Sequence, residues 1–222
     1  MVRPYIPMLA EAAPRSGFFE REEFERVRSQ LPEAIRPVVT FAYLTGWRVH
    51  SEILSLQWRN VDMKAGILTL DPGSTKNKDG RTFPFGVMAE LQTLLEGQRR
   101  ATTKIENARD LICPWVFHRN GRRIKDFRKA WEQACEAAGV PGRIPHDFRR
   151  TAVRNLERAG VSRSMAMKLT GHRTESVYRR YAIVSEADLS EGARKLGALS
   201  LAGTKTGTTG RSGKVRQIRK RS

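Results

Sequence analysis

Six polar side chains of this sequence are of the types that together attack and stabilise a phosphate diester. In chain order they are an arginine, a lysine, a His-x-x-Arg pair, a histidine and a tyrosine: Arg48, Lys76, His146, Arg149, His172 and Tyr181. A phenol can act as a nucleophile, and a guanidinium can bind two non-bridging phosphate oxygens at once. The lysine and the histidines can donate or accept protons. The set predicts attack of the tyrosine on a phosphodiester without a metal ion or a cofactor.

The charge of the chain favours a polyanion as its partner. The 222 residues include 41 Lys and Arg against 23 Asp and Glu, a formal net charge of +18. Residues 204–222 hold seven of the basic side chains and no acidic one, so the rest of the chain keeps +11 (18 − 7). Nucleic acids and anionic membranes both attract such a chain. No basic segment has a clear apolar face and no run of about 18 apolar residues occurs, so we expect nucleic acid and no membrane.

The two cysteines, Cys113 and Cys135, form neither a disulfide framework nor a metal-binding pattern. Cys135 lies among apolar residues at helical spacing, which indicates a buried thiol. The N-terminal residues lack the continuous apolar segment of a signal peptide. We therefore expect a reducing, cytoplasmic setting.

The elements that must position the six side chains are predicted to be mostly helices. A helix is expected over about 20–31, and Pro32 suits the first turn of a second helix that ends near Gly46. The segment WRVHSEILSLQW resumes a helix, and LICPWVF is a strand or a buried connector. Helical spacing returns in six further places: from Val87, around Trp131 up to Gly139, over 144–160, from Ser162 to Thr170, over Tyr178 and Tyr181, and around 186–197.

The segment GILTLDPGSTKNKDGRTFPF departs from helical spacing. Two β-rich runs, 67–70 and 81–85, flank a turn of Gly, Pro, Asn and Asp residues. This pattern predicts an antiparallel hairpin or a three-stranded sheet with Lys76 and Lys78 near its tip. The expected fold class is mainly α with a small antiparallel β-sheet (α+β).

The helix that carries the His-x-x-Arg pair is strongly two-sided. At about 100° per residue, His146, Arg149 and Arg150 share one face, and Phe148 and Ala152 lie on the opposite, apolar face. We expect the apolar face to hold the helix on the core and to turn His146 and Arg149 outward together.

Four ordered segments resemble the boxes of the tyrosine recombinase, or phage integrase, family. TGWRVHSEILSLQW is similar to the box with the first catalytic arginine, and STKNKDGRTFPF to the hairpin with the catalytic lysine. HDFRRTAVRNL is similar to the His-x-x-Arg box, and LTGHRTESVYRRY to the closing box with the tyrosine. The resemblance covers nearly all of residues 17–200 and implies the catalytic-domain fold of this family. We expect a leader over 1–17, the catalytic domain over 18–200 and a basic, disordered tail over 201–222.

The resemblance also implies a mechanism in which the tyrosine forms a 3′-phosphotyrosyl link to DNA and releases a 5′-hydroxyl. No ATP is needed, because the new linkage conserves the free energy of the broken bond. The resemblance implies that Tyr181 is the nucleophile, that Arg48 and Arg149 stabilise the phosphate charge, and that His172 donates a further hydrogen bond to the phosphate. It implies that His146 accepts the phenol proton, that Lys76 protonates the 5′ oxygen and that Glu52 orients Arg48. Further contacts to DNA are expected from Arg150, Lys78, Arg179 and Arg180.

The partners that the resemblance implies are double-stranded DNA and further copies of the chain. Four protomers would assemble on two duplexes, with the segment 182–200 docking on a neighbour. The activity would serve integration, excision or resolution of a mobile element, and the protein would be associated with the nucleoid.

Several alternatives stay open in the sequence. Lys78 competes with Lys76 for the hairpin position, and Tyr178 competes with Tyr181. Three residues, rather than the family's usual two, separate Arg48 from its acidic partner, which a local bulge in the helix could absorb. The chain could instead nick and reseal DNA as a type IB topoisomerase does. It could also be a catalytically silent DNA-binding relic without the N-terminal domain that clamps DNA in typical integrases.

Overall fold

A computed structural model describes residues 17–73, 80–182 and 186–203 of the chain. The chain divides into two units, residues 1–183 and residues 184–222. The described α-helices are α1 (Arg21–Gln30), α2 (Arg36–Thr45), α3 (Ala89–Arg109), α4 (Arg128–Ala137), α5 (Asp147–Arg158), α6 (Arg163–Thr170), α7 (Glu175–Arg179) and α8 (Glu186–Gly203). The described strands are β1 (Val61–Asp62), β2 (Ile67–Leu70), β3 (Arg81–Pro84), β4 (His118–Arg119) and β5 (Arg122–Arg123). The prediction of a mainly helical fold with little antiparallel sheet is confirmed.

The core of the first unit is built around α5. Every residue over 147–154 is buried. Phe148 lies inside an aromatic cluster, with its ring centroid 4.9 Å from that of Phe19, 5.8 Å from that of Phe24 and 5.3 Å from that of Trp131. Tilted and edge-on contacts of this kind stabilise aromatic clusters beyond the area that they bury. The apolar face of α5 therefore holds the helix on α1 and α4, as its spacing predicts.

Of the pair that was predicted to turn outward, His146 is exposed as expected, but Arg149 is buried and that part of the prediction is wrong. Arg149 is 2% exposed, Arg150 is 8% exposed and Val153 is fully buried. α2 and α6 both pack against α5, so the helix is covered on more than one side. Helical spacing shows which side chains share a face, but the elements that cover the face come from distant parts of the chain.

A three-stranded antiparallel sheet in the order β1-β2-β3 occupies the segment predicted to be β-rich. Leu70, the last residue of β2, lies opposite Arg81, the first residue of β3. Leu68 and Leu70 are buried and join the sheet to the core. The prediction of a small antiparallel sheet here is confirmed, while Lys76 and Lys78 fall in residues 74–79, which lie outside the described residues.

Some element boundaries differ from the prediction. α2 begins at Arg36 rather than at Pro32, with Pro37 in its first turn. α7 ends at Arg179, so Tyr181 follows the helix instead of lying within it. LICPWVF is a partly buried connector, and the short β4–β5 hairpin that follows it is not predicted by the sequence pattern.

The described part of the second unit is α8, which is longer than the helix predicted around 186–197. It ends at Gly203 and so enters the segment predicted to be a disordered tail. Residues 1–16 and 204–222, which include most of the predicted leader and tail, lie outside the described residues. Among the described helices, none combines the length and the apolar character needed to cross a membrane.

Candidate active site

The side chains of Tyr181 and His146 meet at the N-terminus of α5. His146 is the residue that precedes the helix, and its Nε2 lies 3.0 Å from the hydroxyl oxygen of Tyr181. Burial, followed by the positive charges of Arg149 and Arg150, lowers the pKa of His146. Because the imidazole is therefore neutral at pH 7, it has a lone pair that can accept a proton from the phenol.

The guanidinium of Arg149 lies 5.8 Å from the ring centroid of Tyr181 and is hydrogen-bonded through two of its three nitrogens. Its Nε donates to Nε2 of His172 at 3.1 Å, and its Nη1 donates to the carbonyl of Gly46 at 2.8 Å. Its Nη2 is buried and finds no acceptor among the described residues. Burial, and then the repulsion from Arg48, lowers the pKa of Arg149 to about 9. A buried guanidinium N–H without an acceptor lowers the stability of the fold, and a bound anion removes this penalty by accepting its hydrogen bond.

Gly46 is the residue that brings α2 close enough to supply this carbonyl. It ends α2 with φ +67°, a conformation that glycine adopts without strain. A Cβ atom at this position would lie 2.7 Å from the Cβ of Ala152 on α5. The glycine thus both ends the helix and allows its end to approach α5.

His172 holds Arg149 through a fixed tautomer. Its Nδ1 lies 2.7 Å from the hydroxyl of Thr170, and that hydroxyl donates to the carbonyl of Ala166 at 2.7 Å. Nδ1 must therefore carry the proton, and Nε2 accepts from Arg149. Burial and the nearby arginines lower the pKa of His172 to about 3, so the neutral form is the one present. In this arrangement His172 supports Arg149 and has no proton left for a phosphate oxygen, in contrast to the donor role implied by the resemblance.

Arg48 and Glu52 are joined by a π-helical turn over Val49–Ile53. The amide of Ile53 donates to the carbonyl of Arg48 at 3.1 Å, which is the i to i+5 bond of such a turn. The extra residue in the spacing is absorbed here, as a bulge was expected to do. Glu52 is 1% exposed and accepts from the backbone amide and the Nη1 of Arg48, both at 2.8 Å. Glu52 therefore orients Arg48 despite the unusual spacing.

Arg81 is a member of the site that the sequence reasoning missed. Its Nη2 donates to Glu52, its Nη1 donates to the carbonyl of Thr170 at 3.2 Å, and its guanidinium lies 4.4 Å from the ring centroid of Trp47. A Cβ atom at Gly171 would collide with Nη1 of Arg81. The signal that could have found it is an arginine at the first strand position after the turn, opposite a buried leucine of β2.

The arginines around Glu52 outweigh the effect of its burial on the pKa of the carboxyl group. Desolvation would raise the pKa of Glu52, but the charge of Arg81, the amide of Arg48 and their hydrogen bonds hold the pKa below its ordinary value. Glu52 is therefore ionised and bridges two guanidinium groups. This bridge links β3, the π-helical turn and the end of α6.

The structure separates the two candidate tyrosines. Tyr178 is fully buried, with its ring edge-on to His172 at 5.3 Å, and burial raises its pKa to about 12. Tyr181 is partly exposed, and its ring lies 4.8 Å from that of His172 and 5.8 Å from the guanidinium of Arg149. The geometry therefore favours Tyr181, because its hydroxyl faces an acceptor and Tyr178 packs in the core.

The residues expected to contact DNA differ in their exposure to solvent. Arg150 is buried, donates to Asp147 at 2.9 Å and lies 5.5 Å from the ring of Tyr181, so the contacts that it makes are internal. Arg179 and Arg180 are exposed, and Arg179 pairs with Glu175 at 3.0 Å. Lys76 and Lys78 lie outside the described residues.

A cavity of about 440 Å³ opens beside Arg48 and His146. Its walls include the rings of Phe127 and Trp131 and the side chains of Arg128 and Arg143, among others. Among the described residues, no group of three or more His, Cys, Asp or Glu side chains is arranged to hold a metal ion. Five of the six predicted catalytic residues thus converge, namely Arg48, His146, Arg149, His172 and Tyr181.

Residues 20–187 match the model of the phage integrase family. The chain belongs to this family. It is 24% identical over 208 residues to the integrase of Salmonella phage P22, which spans 88% of this chain and 51% of that protein. It is 28% identical over 149 residues to the virulence plasmid integrase pGP8-D of Chlamydia trachomatis, covering 65% of this chain and 42% of that protein.

The fold is also similar to solved recombinase structures. XerA recombinase matches with a TM-score of 0.66 at 18% identity, over 84% of this chain and 66% of that one. A lambda integrase dimer bound to a COC′ core site matches with a TM-score of 0.62 at 16% identity, over 78% of this chain and 50% of that one. A lambda integrase tetramer bound to a Holliday junction matches with a TM-score of 0.59 at 17% identity, over 80% of this chain and 51% of that one.

The extent of these matches identifies the shared part as the catalytic-domain fold. The chain spans about half the length of the phage P22 integrase and less than half of the plasmid integrase. The predicted family and fold are thereby confirmed.

Proposed function

We propose that this chain cuts and rejoins double-stranded DNA as a site-specific recombinase, with Tyr181 as the nucleophile. The observation that carries the proposal is the hydroxyl of Tyr181 lying 3.0 Å from the neutral imidazole of His146, with the ring of Tyr181 5.8 Å from the guanidinium of Arg149, whose buried Nη2 has no acceptor among the described residues. The first feature can activate a phenol and the second can bind an oxyanion. A phosphodiester satisfies both at once.

In the proposed step, a bond forms between the phenol oxygen of Tyr181 and the phosphorus, and the bond from phosphorus to the 5′ oxygen breaks. The phenol proton passes to Nε2 of His146. Nη2 of Arg149 and the guanidinium of Arg48 bind the non-bridging oxygens, on which negative charge builds up. The departing 5′ oxygen takes a proton, for which Lys76, between β2 and β3 in the sequence, is the proposed donor. The product is a 3′-phosphotyrosyl link and a free 5′-hydroxyl.

The proposed reaction needs no ATP, because the phosphotyrosyl link keeps the free energy of the broken bond for the reverse step. In the reverse step, a 5′-hydroxyl attacks the phosphotyrosine, so that a bond from phosphorus to the 5′ oxygen forms and the bond from phosphorus to Tyr181 breaks. The hydroxyl proton returns to the proposed donor Lys76, and the proton on His146 returns to the phenol oxygen of Tyr181. When that hydroxyl belongs to another strand, the result is strand exchange. The groups of the site supply the nucleophile, the proton acceptor and the charge stabilisation of each step, so the chemistry is complete without a metal ion.

His172 is proposed to act through Arg149. Its Nε2 accepts from Nε of Arg149, and its tautomer is fixed by Thr170. Together with the carbonyl of Gly46, this contact leaves Nη2 as the free arm of Arg149. The imidazole thus positions the phosphate-binding arginine.

The partners in the proposal are double-stranded DNA and three further copies of the chain. Lambda integrase bound to a core site as a dimer and to a Holliday junction as a tetramer supports this proposal by similarity of fold. The segment 182–200 is the proposed docking element between protomers. The protein would act on DNA in the cytoplasm, at the nucleoid.

A nicked suicide duplex tests the proposal, because cleavage next to the nick releases a short fragment and traps the covalent intermediate. The wild-type chain should form a protein–DNA adduct that survives denaturation. Tyr181→Phe should form none, and Tyr178→Phe, the matched control, should form the adduct. An adduct in Tyr181→Phe would overturn the assignment of the nucleophile. A wild-type chain that binds DNA but forms no adduct would favour a silent DNA-binding protein.

Strand joining separates the recombinase from a topoisomerase. The proposed enzyme should join strands from two different duplexes that carry its site. Relaxation of a supercoiled plasmid without any joining between duplexes would instead indicate a nicking and resealing enzyme.

A further inference from the structure

We propose that the segment 119–125, formed by the β4–β5 hairpin and the two residues that follow it, binds the phosphate backbone of the DNA arm next to the reacting phosphate. This inference rests on the proposed function and adds to it a second DNA contact, separate from the catalytic residues. Three exposed cations carry it: Arg119, Arg122 and Lys125.

The hairpin places Arg119 and Arg122 opposite each other, an arrangement that does not stabilise the fold. Arg119 and Arg122 are direct partners across the two strands. Like charges opposite each other destabilise an antiparallel pair. The turn between them is tight, because Asn120 (φ +54°) and Gly121 (φ +82°) both have positive φ, so the two arginines are held opposite each other at the end of the hairpin. A polyanion removes the repulsion.

No acidic side chain among the described residues forms an ion pair with Arg119, Arg122 or Lys125. Asp126, the acidic neighbour in sequence, accepts from the backbone amide of Arg128, the first residue of α4, at 3.1 Å. The three cations are therefore available to a ligand.

The segment is held firmly enough to present a fixed pattern of charge. Ile124 and Phe127 are 4% and 5% exposed and anchor it in the core. Arg123 donates from Nε to the carbonyl of Leu54 at 3.0 Å and lies 5.0 Å from the ring of Trp115. Arg123 thus has a structural role, and its neighbours on either side remain directed to the surface.

The position of the segment connects it with the proposed catalytic centre. A concavity of about 560 Å³ is lined by Arg119, Arg122, Lys125 and Asp126. Asp126 also lines the cavity that contains Arg48 and His146. The two concavities therefore adjoin at one residue. A duplex whose phosphate lies at the catalytic centre can continue along this surface, since DNA carries a phosphate at every step of each strand.

The test is the salt dependence of DNA binding in the Tyr181→Phe background, which removes the proposed nucleophile. The variant replaces Arg119, Arg122 and Lys125 with alanine. The control replaces Arg26, Arg100 and Lys104 with alanine, which removes the same charge from exposed positions of α1 and α3 that line neither concavity. A third protein, with lysine at positions 119 and 122, keeps the charge and shows whether the hairpin fold survives substitution.

The plot of the logarithm of the DNA association constant against the logarithm of the salt concentration has a negative slope. The magnitude of this slope should be smaller by about 0.9 for each phosphate that is no longer neutralised, or by about 2.7 for three phosphates. The control should keep a slope close to that of the parent, and the lysine protein should also keep it. Trimming the duplex arm that binds the segment should reduce the parent slope and leave the alanine variant nearly unchanged. Equal slopes for parent and alanine variant, or equal reductions in variant and control, would overturn the proposal.

This result is independent of the proposed chemistry. The suicide-duplex assay on the wild-type chain tests the nucleophile, and adduct formation does not enter the salt slope. A wild-type chain without an adduct but with the expected slopes would refute the recombinase and retain the DNA contact.

Discussion

Replacing Glu52 with glutamine should loosen two arginines of the candidate site at once. Glu52 is 1% exposed and accepts from the amide and the Nη1 of Arg48 and from the Nη2 of Arg81. A glutamine of the same shape offers one carbonyl oxygen and brings an NH₂ group of its own. At least one arginine donor would then face another donor in a buried site.

The expected loss of stability is large. Removing one partner of a buried ion pair typically costs about 3–5 kcal/mol. In a protein of this size each 1 kcal/mol lowers Tm by about 2–4 °C, so Glu52→Gln should lower Tm by at least about 6 °C. Urea unfolding measures the free energy directly. The control is Glu136→Gln at an exposed position of α4, which should stay within about 0.5 kcal/mol of wild type.

The difference between wild type and Glu52→Gln should depend on pH in one direction. Arg81 and Arg48 hold the pKa of Glu52 below its ordinary value against the effect of burial. A carboxyl group with a depressed folded-state pKa stabilises the fold above its unfolded pKa, and this contribution is lost as the pH falls through the folded pKa. The difference should therefore be full at pH 7 and shrink below a pH of about 4.3.

Adduct formation gives a second measure of the same change. Because Arg48 loses its fixed orientation, the rate of adduct formation by folded Glu52→Gln should fall by about 10²-fold, the typical effect of misplacing a group by about 1 Å. Equal unfolding free energies for wild type and Glu52→Gln at pH 7 would refute the idea that this carboxylate holds the two arginines.

Three further predictions rest on the same network of hydrogen bonds. Arg149→Lys keeps the charge but loses the bonds from Nε and Nη1, so adduct formation in single-turnover assays should fall by about 10²-fold or more; an unchanged rate would contradict its role. Gly171→Ala should be less stable than Gly139→Ala by about 1–3 kcal/mol in urea unfolding, because both glycines have positive φ but a Cβ collides with Arg81 only at the former; equal destabilisation would count against that packing. The rate of adduct formation should stay level from pH 8 to about 6.5 and fall only at lower pH, because the pKa of His146 is lowered and its neutral form is the proton acceptor; a fall already above pH 7 would exclude this role.

Local patterns explain why the helices and the sheet were predictable. The spacing of apolar residues marked α1, α4, α5 and α6 to within a few residues, and the change of spacing marked β2 and β3. Glycines with positive φ end several of these helices, as at Gly46 and Gly171. These signals depend on neighbours along the chain, which the sequence contains in full.

The two tyrosines show where local spacing misleads. Helical spacing over Tyr178 and Tyr181 leaves both rings as candidates for the nucleophile, because it does not show which ring packs in the core. In the structure α7 ends at Arg179, Tyr178 enters the core and Val177 is 41% exposed. The end of a short helix depends on what its last turn packs against, so the pattern could not decide which ring is buried.

The sequence by itself determined the family, the order of the chemical groups and the elements that carry them, because residue types and their spacing are properties of the chain alone. Tertiary structure decided which groups are charged, paired and buried. Contacts between distant segments brought Arg149 to His172, where it is a buried donor rather than a surface cation. They also brought Arg81, on β3, to Glu52. Burial and pairing depend on those long-range contacts, which no local pattern records.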